Sequence, residues 1–526
     1  MAAAVSVLLA AADPPPKLVV LMVVDQMRAD YIDRFHDDWS SGLRRLVDSG
    51  ARFTEAAYPY LTTVTCAGHA TISTGAYPHV HGIFANTWFD REHNVIIPCT
   101  GDPSAKAVPY GKPATSQTGP GNLMVRSFAD EMRRNGSHVV TLALKARSAI
   151  MLAGHGGDAV TWISESLDGW ETSTSYTSHP IPEVKAYVDA HRLDADFEKS
   201  WTRLLPAERY HDPDAGIGED PSGGWSSLFP HVLKGLSPTP DVSYYDHWQH
   251  SPYADAYVAR MAAALVESMH LGKHAKTDFL GVSFSSPDLV GHSFGPHSQE
   301  IQDMYAHLDR TIGGLLDALD RSVGRDAYVL ALSADHGVTD IPEQIKLTGA
   351  DAGRIDPAAL LRTAQATVQT TLGPGNYVSR LNGNEIYFEP GMYQRVASHA
   401  DLLRDVVASI AREPGIARVF TSDELKVSSA SNDPQLRAAA LSYVPGRSGD
   451  LVLSPKNGWM MSVAGTTHGS ATPNDQRVPI VLYGRGIKSG AYDRVVSPAD
   501  IAPTLAAIVG VALPKAEGHP LSEALR

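Results

Sequence analysis

Tyr328-Val-Leu-Ala-Leu-Ser-Ala-Asp-His-Gly337 runs apolar through Leu332 and then sets a carboxylate and an imidazole side by side. A short apolar run without polar alternation reads as a parallel strand buried on both faces. Asp335 and His336 then stand where the chain leaves the sheet. Similar Val-, Ile- and Leu-rich runs recur at 18–24, 139–144, 279–283 and 478–482, and all are read as parallel, doubly buried strands. Helical patterns lie between them: Asn122–Arg134 with Asn122 as N-cap, Ala254–Leu271, and Ile301–Ser322. The alternation predicts a three-layer α/β fold, a doubly wound and mostly parallel sheet.

The other runs end on the same chemistry. Asp25 follows Val24 directly, Asp288 and His292 stand four apart after Ser283, and His468 lies in Thr466-Thr-His-Gly469. Ligands of doubly wound sheets bind beyond the carboxyl ends of the strands, where Asp25, Lys145, Asp288 and Asp335 all fall. Aspartates and histidines together suit Zn²⁺ better than Mg²⁺ or Ca²⁺, which prefer all-oxygen shells. Dividing the set between two ions leaves open positions on each, as catalysis requires and a structural zinc site forbids. Two Zn²⁺ per chain and two-metal hydrolysis are therefore expected. Taken singly, these residues have plainer readings, Asp288 and His292 as a helix-surface pair and His468 as a loop histidine.

Composition narrows the partners. A formal charge of −14 argues against a nucleic-acid or anionic-membrane binder, which would carry a basic face. No run reaches the ~20 apolar residues that cross a bilayer, so no stable membrane insertion is expected. The opening MAAAVSVLLAAA (1–12) resembles the apolar core and cleavage site of a secretory signal, which predicts a periplasmic or secreted protein comprising residues 13–526. Cys66 and Cys99 are too few for a disulfide framework, although one bridge between them is open in an oxidising compartment. Two stretches break the strand and helix rhythm, roughly 180–250 and roughly 340–455, and are read as insertions covering the site.

The segment Thr62-Thr-Val-Thr-Cys-Ala-Gly-His-Ala-Thr-Ile-Ser-Thr-Gly75, followed by Tyr77-Pro78, His81-Gly-Ile83 and Asn86, resembles the alkaline phosphatase superfamily in its phosphodiesterase/nucleotide pyrophosphatase branch. Lys145-Ala-Arg147 and Ala153-Gly-His155 add a closer resemblance, to the bacterial threonine-nucleophile alkaline phosphatases. Val24-Asp-Gln-Met-Arg28, Ser283 to His292, Ser333 to Gly337 and Thr467 to Ser470 extend it in matching order over most of the chain. Asp168 to Tyr176 matches an aromatic, hydroxyl-rich turn of that group.

The resemblance implies roles. Thr65 would be the nucleophile and a ligand of the ion held by Asp25, Asp335 and His336, since a hydroxyl needs such activation near neutral pH. The ion at Asp288, His292 and His468 would serve the leaving oxygen. Lys145 and Arg147, read as neighbours on one side of a strand end, would grip non-bridging phosphate oxygens, with the Asn86 amide and the Thr65 N–H completing the site. His69, His81, His155 and His297 are read as supports or packing residues. The Cys66-Ala-Gly-His-Ala70 string lacks the proline and arginine of a sulfatase signature. The expected function is hydrolysis of small-molecule phosphate monoesters of broad leaving-group range through a phosphothreonine, at alkaline pH. A phosphodiesterase on the same scaffold is the alternative, and a non-catalytic binder of phosphate compounds is a third.

Overall fold

The structure, a computed structural model, describes residues 14–526, so the expected signal segment 1–12 lies outside the described residues. Its frame is a ten-stranded sheet. From one edge the order is Gly490–Val496, Ala51–Ala56, Ile480–Gly484, Tyr328–Ser333, Leu18–Val24, Asp278–Phe284, Val139–Ala143, Ala159–Ile163, Trp170–Ser173 and Ala107–Pro109. From Tyr328–Ser333 through Ala159–Ile163 the strands run parallel.

The side-chain alternation of a strand explains why these runs lack polar residues. Leu18, Val20, Met22 and Val24 enter one apolar cluster, while Val19, Leu21 and Val23 enter another on the opposite face. The first cluster takes Val258, Ala262 and Leu265 from the helix Pro252–Ser268, and Ile312 and Leu316 from Gln299–Leu319. The second takes Ile72 from the helix Thr65–Thr74, Phe128 from Phe128–Arg134 and Leu505 from Ile501–Val509. Helix, sheet and helix thus form the three expected layers.

Three local expectations are corrected. Ile480–Gly484 is antiparallel to both neighbours, because an apolar run records burial on two faces and carries no record of direction. The helix expected from Asn122 begins at Phe128. Asn122 Nδ2 is bonded to the carbonyls of Cys99 and Gly101, while Ser127 and Asp130 form a reciprocal capping box. The Asp168–Tyr176 stretch is not simply a turn, since Trp170–Ser173 forms a buried strand near the sheet edge.

A second, four-stranded sheet has the order Val378–Asn382, Glu385–Phe388, Leu451–Pro455 and Ile416–Thr421. With the helices Pro357–Leu372 and Ala400–Ala411 it encloses its own apolar cluster of Leu360, Val368, Ile386, Val406, Ile410 and Leu453. The 180–250 stretch has no separate core; its Trp201, Tyr244 and Trp248 join the main cluster.

Gly68 shows how tightly the Thr65–Thr74 helix sits on the end of the central sheet. A Cβ there would lie 2.0 Å from the Asp335 carbonyl oxygen and 2.6 Å from its Cα, backbone atoms that cannot rotate away. Gly68→Ala should destabilise the fold by about 3 kcal/mol. Gly314→Ala, in the Gln299–Leu319 helix with nothing within 4 Å of its Cβ, should stabilise by up to about 1 kcal/mol. Denaturant unfolding of the two variants checks both signs.

Candidate active site

The doubly buried strands deliver their terminal residues to one place. Asp25 follows Leu18–Val24, Asp335 and His336 follow Tyr328–Ser333, and Asp288 and His292 sit on the helix Ser286–Phe294 after Asp278–Phe284. The ligand atoms of Asp25, Asp335 and His336 all lie within 4.8 Å of one another, and those of Asp288, His292 and His468 do the same. In the first group His336 Nε2 is 3.4 Å from Asp25 and 3.5 Å from Asp335. In the second, Asp288 Oδ1 is 3.2 Å from His292 Nε2 and 3.6 Å from His468 Nε2.

The histidines share a device. His336 Nδ1 donates to the Gly337 carbonyl, His292 Nδ1 to that of Thr466 and His468 Nδ1 to that of Thr63, at 2.9, 2.9 and 2.8 Å. A carbonyl can only accept, so Nδ1 carries a proton in each, and a ring that is neutral turns its Nε2 lone pair to the carboxylates. Burial and then His336 and His292 push His468 well down, and burial also lowers His336, which keeps both rings neutral. His292 moves upward, because the neighbouring Asp288 outweighs its burial.

The carboxylates are poorly compensated by protein. Asp25, Asp288 and Asp335 are all buried, and Asp25 Oδ1 and Asp335 Oδ2 have no hydrogen-bond partner among the described residues. Burial, reinforced by Asp288 and Asp335, raises Asp25 well above the usual carboxylate range. Asp288 and Asp335 are lowered: burial opposes this, but Lys145 and the histidines outweigh it. Orphaned carboxylate oxygens facing imidazole lone pairs are the donor set of a cation site, and the mixture of oxygen and nitrogen fits Zn²⁺.

Lys145 joins the two groups. Its Nζ donates to Asp25 Oδ2 at 2.6 Å and to Asp288 Oδ2 at 2.5 Å, and these partners outweigh burial to raise its pKa. Lys145 and Arg147 do not share a strand face as expected. The strand stops at Ala143, and Lys145 is the N-cap of the helix Ala146–Ala153 with Arg147 in its first turn. Arg147 forms no salt bridge among the described residues, and its buried Nε has no partner.

Thr65 is the first residue of its helix, 1% exposed, with Oγ1 3.5 Å from His336 Nε2. It does not cap the helix; Val64 holds that position. The Asn86 Oδ1 accepts from the Cys66 N–H at 2.9 Å, so its NH₂ end is the one left to act. A cavity of about 200 Å³ opens beside Asn86 and His468, with Asn382 of the second sheet and Asn384 of the turn after it on its wall.

Residues 19–474 match the model of type I phosphodiesterase / nucleotide pyrophosphatase. The chain belongs to that family. It is 29% identical to alkaline phosphatase PafA of Elizabethkingia meningoseptica, covering 96% of this chain and 93% of that one. It is 30% identical to alkaline phosphatase PhoV of Synechococcus elongatus over 94% of this chain and 90% of that one, and 32% identical to alkaline phosphatase PhoK of a Sphingomonas species over 94% and 88%. The crystal structure of wild-type PafA superposes with a TM-score of 0.88, covering 98% of this chain and all of that one.

Several supporting residues escaped the sequence reading. Gln26, at φ 67°, donates from Nε2 to Asp288 Oδ1 (2.7 Å) and from its backbone N–H to Asp335 Oδ1 (3.1 Å). Asp255 accepts from the N–H groups of Ser285 and Ser286, fixing the start of the helix that carries Asp288 and His292. Asp475 ties Ser470 to Thr339. An acid inside the otherwise apolar face of Pro252–Ser268 was the available signal for Asp255. Of the spare histidines, His69 lies 3.1 Å from Asp335 Oδ2 and donates to the Thr65 carbonyl, His81 meets Thr71, and His155 and His297 pair with Asp130 and Asp340.

Asp25 gives a signed prediction. A carboxyl raised in the fold supports folding fully below its unfolded value of about 3.9 and loses that support as pH climbs through the folded value. In chelated protein at neutral pH, Asp25→Asn should therefore unfold at a higher temperature than the parent. With zinc added the order should reverse, since the Asp25 carboxylate would be a better ligand than the amide. Thermal unfolding in both states reads the crossing.

Proposed function

We propose that this chain is a zinc-dependent alkaline phosphatase that hydrolyses phosphate monoesters through a covalent phosphothreonine on Thr65, a reading supported by the alkaline phosphatases among its relatives. The observation that carries it is the Thr65 hydroxyl beside one ligand group while the Lys145 ammonium links that group to the second. When bound by Asp25, Asp335, His336 and Thr65, and by Asp288, His292 and His468, two ions would ease deprotonation of the attacking hydroxyl and offset charge on the leaving oxygen.

Thr65 Oγ forms a bond to phosphorus as the bond from phosphorus to the leaving alcohol breaks. Water then reverses the attack, releasing inorganic phosphate and restoring the hydroxyl. The N-terminus of the ten-residue helix at Thr65 places partial positive charge under the phosphoryl group. Arg147 offers a planar fork, Lys145 a compact charge and Asn86 an NH₂ donor for the non-bridging oxygens. Contacts confined to the phosphoryl head leave the alcohol largely unselected. A monoester dianion gains more from these cations than a diester monoanion does.

Diester hydrolysis is the second reading. The family model bears that description, and the cavity beside Asn86 and His468 offers room for a second substituent. We also place the protein in the periplasm or outside the cell, supported by the Cys66–Cys99 disulfide, a bond that persists in oxidising compartments. No described helix is long and apolar enough to cross a membrane.

Matched aryl phosphate mono- and diesters, assayed on zinc-loaded protein at alkaline pH, should show the monoester preferred and chelation should remove turnover. Thr65→Ala should lower kcat at least about 10³-fold, and Lys145→Ala should lower kcat/KM at least about tenfold more for the monoester than for the diester. A diester preference in the parent, or equal losses in Lys145→Ala, would reject the monoester assignment.

A further inference from the structure

Asn86 is held by an arrangement that neither its residue type nor its motif requires. Thr65 is followed directly by Cys66, which forms a disulfide with Cys99, 33 residues away. Both half-cystines contact Asn86 through their backbone. Cys66 N–H donates to Asn86 Oδ1 at 2.9 Å, and Cys99 N–H donates to the Asn86 carbonyl at 2.8 Å. Asn86 and Cys99 lie just beyond the Thr87–Pro98 pair that begins the hairpin of Thr87–Asp90 and Val95–Pro98.

The sulfurs are buried with Ala70, Phe84, Trp88 and Ile150, whereas the far strand of the hairpin exposes Val95 and Ile96. A two-stranded hairpin is marginal by itself. The covalent tie therefore couples the hairpin base, and Asn86 with it, to the first turn of the nucleophile helix. Two consequences follow from the bonding. Asn86 Oδ1 is committed to Cys66, so the amide cannot flip and its NH₂ remains the outward donor. Asn86 is also kept in register with Thr65, one residue before the tethered sulfur.

We propose that Cys99 is a positioning residue for the phosphoryl contact of Asn86, acting through its disulfide to Cys66. The inference rests on the role given to Asn86 in the proposed function. Displacement of such a donor by about 1 Å is enough to lower catalysis severely. The tie therefore acts on phosphoryl binding and transfer, and it does so through Asn86.

A double-mutant cycle tests this. In the parent, replacing both cysteines (Cys66→Ala with Cys99→Ala) should lower kcat/KM for an aryl phosphate monoester about tenfold and weaken inhibition by inorganic phosphate in parallel. In an Asn86→Ala background the same replacement should change kcat/KM by less than about twofold, while the unfolding temperature falls in both backgrounds. Equal kcat/KM losses in the two backgrounds would make the disulfide a general staple and overturn the inference, leaving the phosphatase reading intact. An Asn86→Ala protein as active as the parent would remove Asn86 from the phosphoryl site and overturn its proposed role together with this inference. Should the doubly substituted protein not fold, Cys99→Ser alone enters the same cycle with the same outcomes.

Discussion

Three aspartates held together out of water set the terms for the rest of this molecule. At an effective dielectric near 20, two like charges about 4 Å apart repel by about 4 kcal/mol, and burial adds a desolvation cost for each carboxylate. Asp25 shows the strain most clearly, being driven toward protonation while Asp288 and Asp335 are held ionised by their cationic and imidazole neighbours. Lys145 offsets only part of that charge. The constellation is tolerable in a folded protein because further positive charge can be accommodated among oxygens that the protein leaves unpartnered.

Holding such a cluster requires a rigid frame, and the sheet supplies it. Strands buried on both faces cannot shift register without turning every side chain into the wrong cluster. Their carboxyl ends are consequently fixed points, and Asp25, Asp335 and His336 inherit that precision. The ligands that leave the strands are secured by other means. Asp255 anchors the start of the Asp288 helix, and backbone carbonyls lock the three imidazoles. Gln26 spans Asp288 and Asp335 in a left-handed conformation that a glutamine does not adopt for its own stability.

Much of this was legible in the chain itself, and the physics says which parts. Apolar runs ending in Asp or His reveal buried strands and their terminal groups, because burial on both faces removes polar residues from the run and leaves the first polar residue at its end. Asp335 and His336 are conspicuous for that reason. Strand direction was not legible at Ile480–Gly484, since the same burial is met by either polarity. The start of the helix at Phe128 depended on Asn122 being drawn to the carbonyls of Cys99 and Gly101 while Ser127 and Asp130 cap each other. Gln26 acts on Asp288 and Asp335, 262 and 309 positions away, and Asp475 reaches Thr339 across 136 positions, distances that no local pattern encodes.

Lys145 binds these themes together. The sequence resemblance cast it as a grip on substrate, while the structure sets its ammonium against Asp25 and Asp288, one carboxylate from each ligand group. Both roles follow from one position. A charge seated between the two groups stabilises the carboxylates without substrate, and in the proposed reaction a phosphoryl dianion arriving there would meet an ammonium already desolvated and already oriented. Its helix begins at the following residue, so the backbone sets where the ammonium's stem starts, while Asp25 and Asp288 hold its charge. Arg147, in the same turn and without a carboxylate of its own, lacks the first of these roles. In the proposed reaction the pair would therefore divide the labour, with Lys145 linking the two ligand groups to phosphoryl binding and Arg147 answering to the phosphoryl group alone.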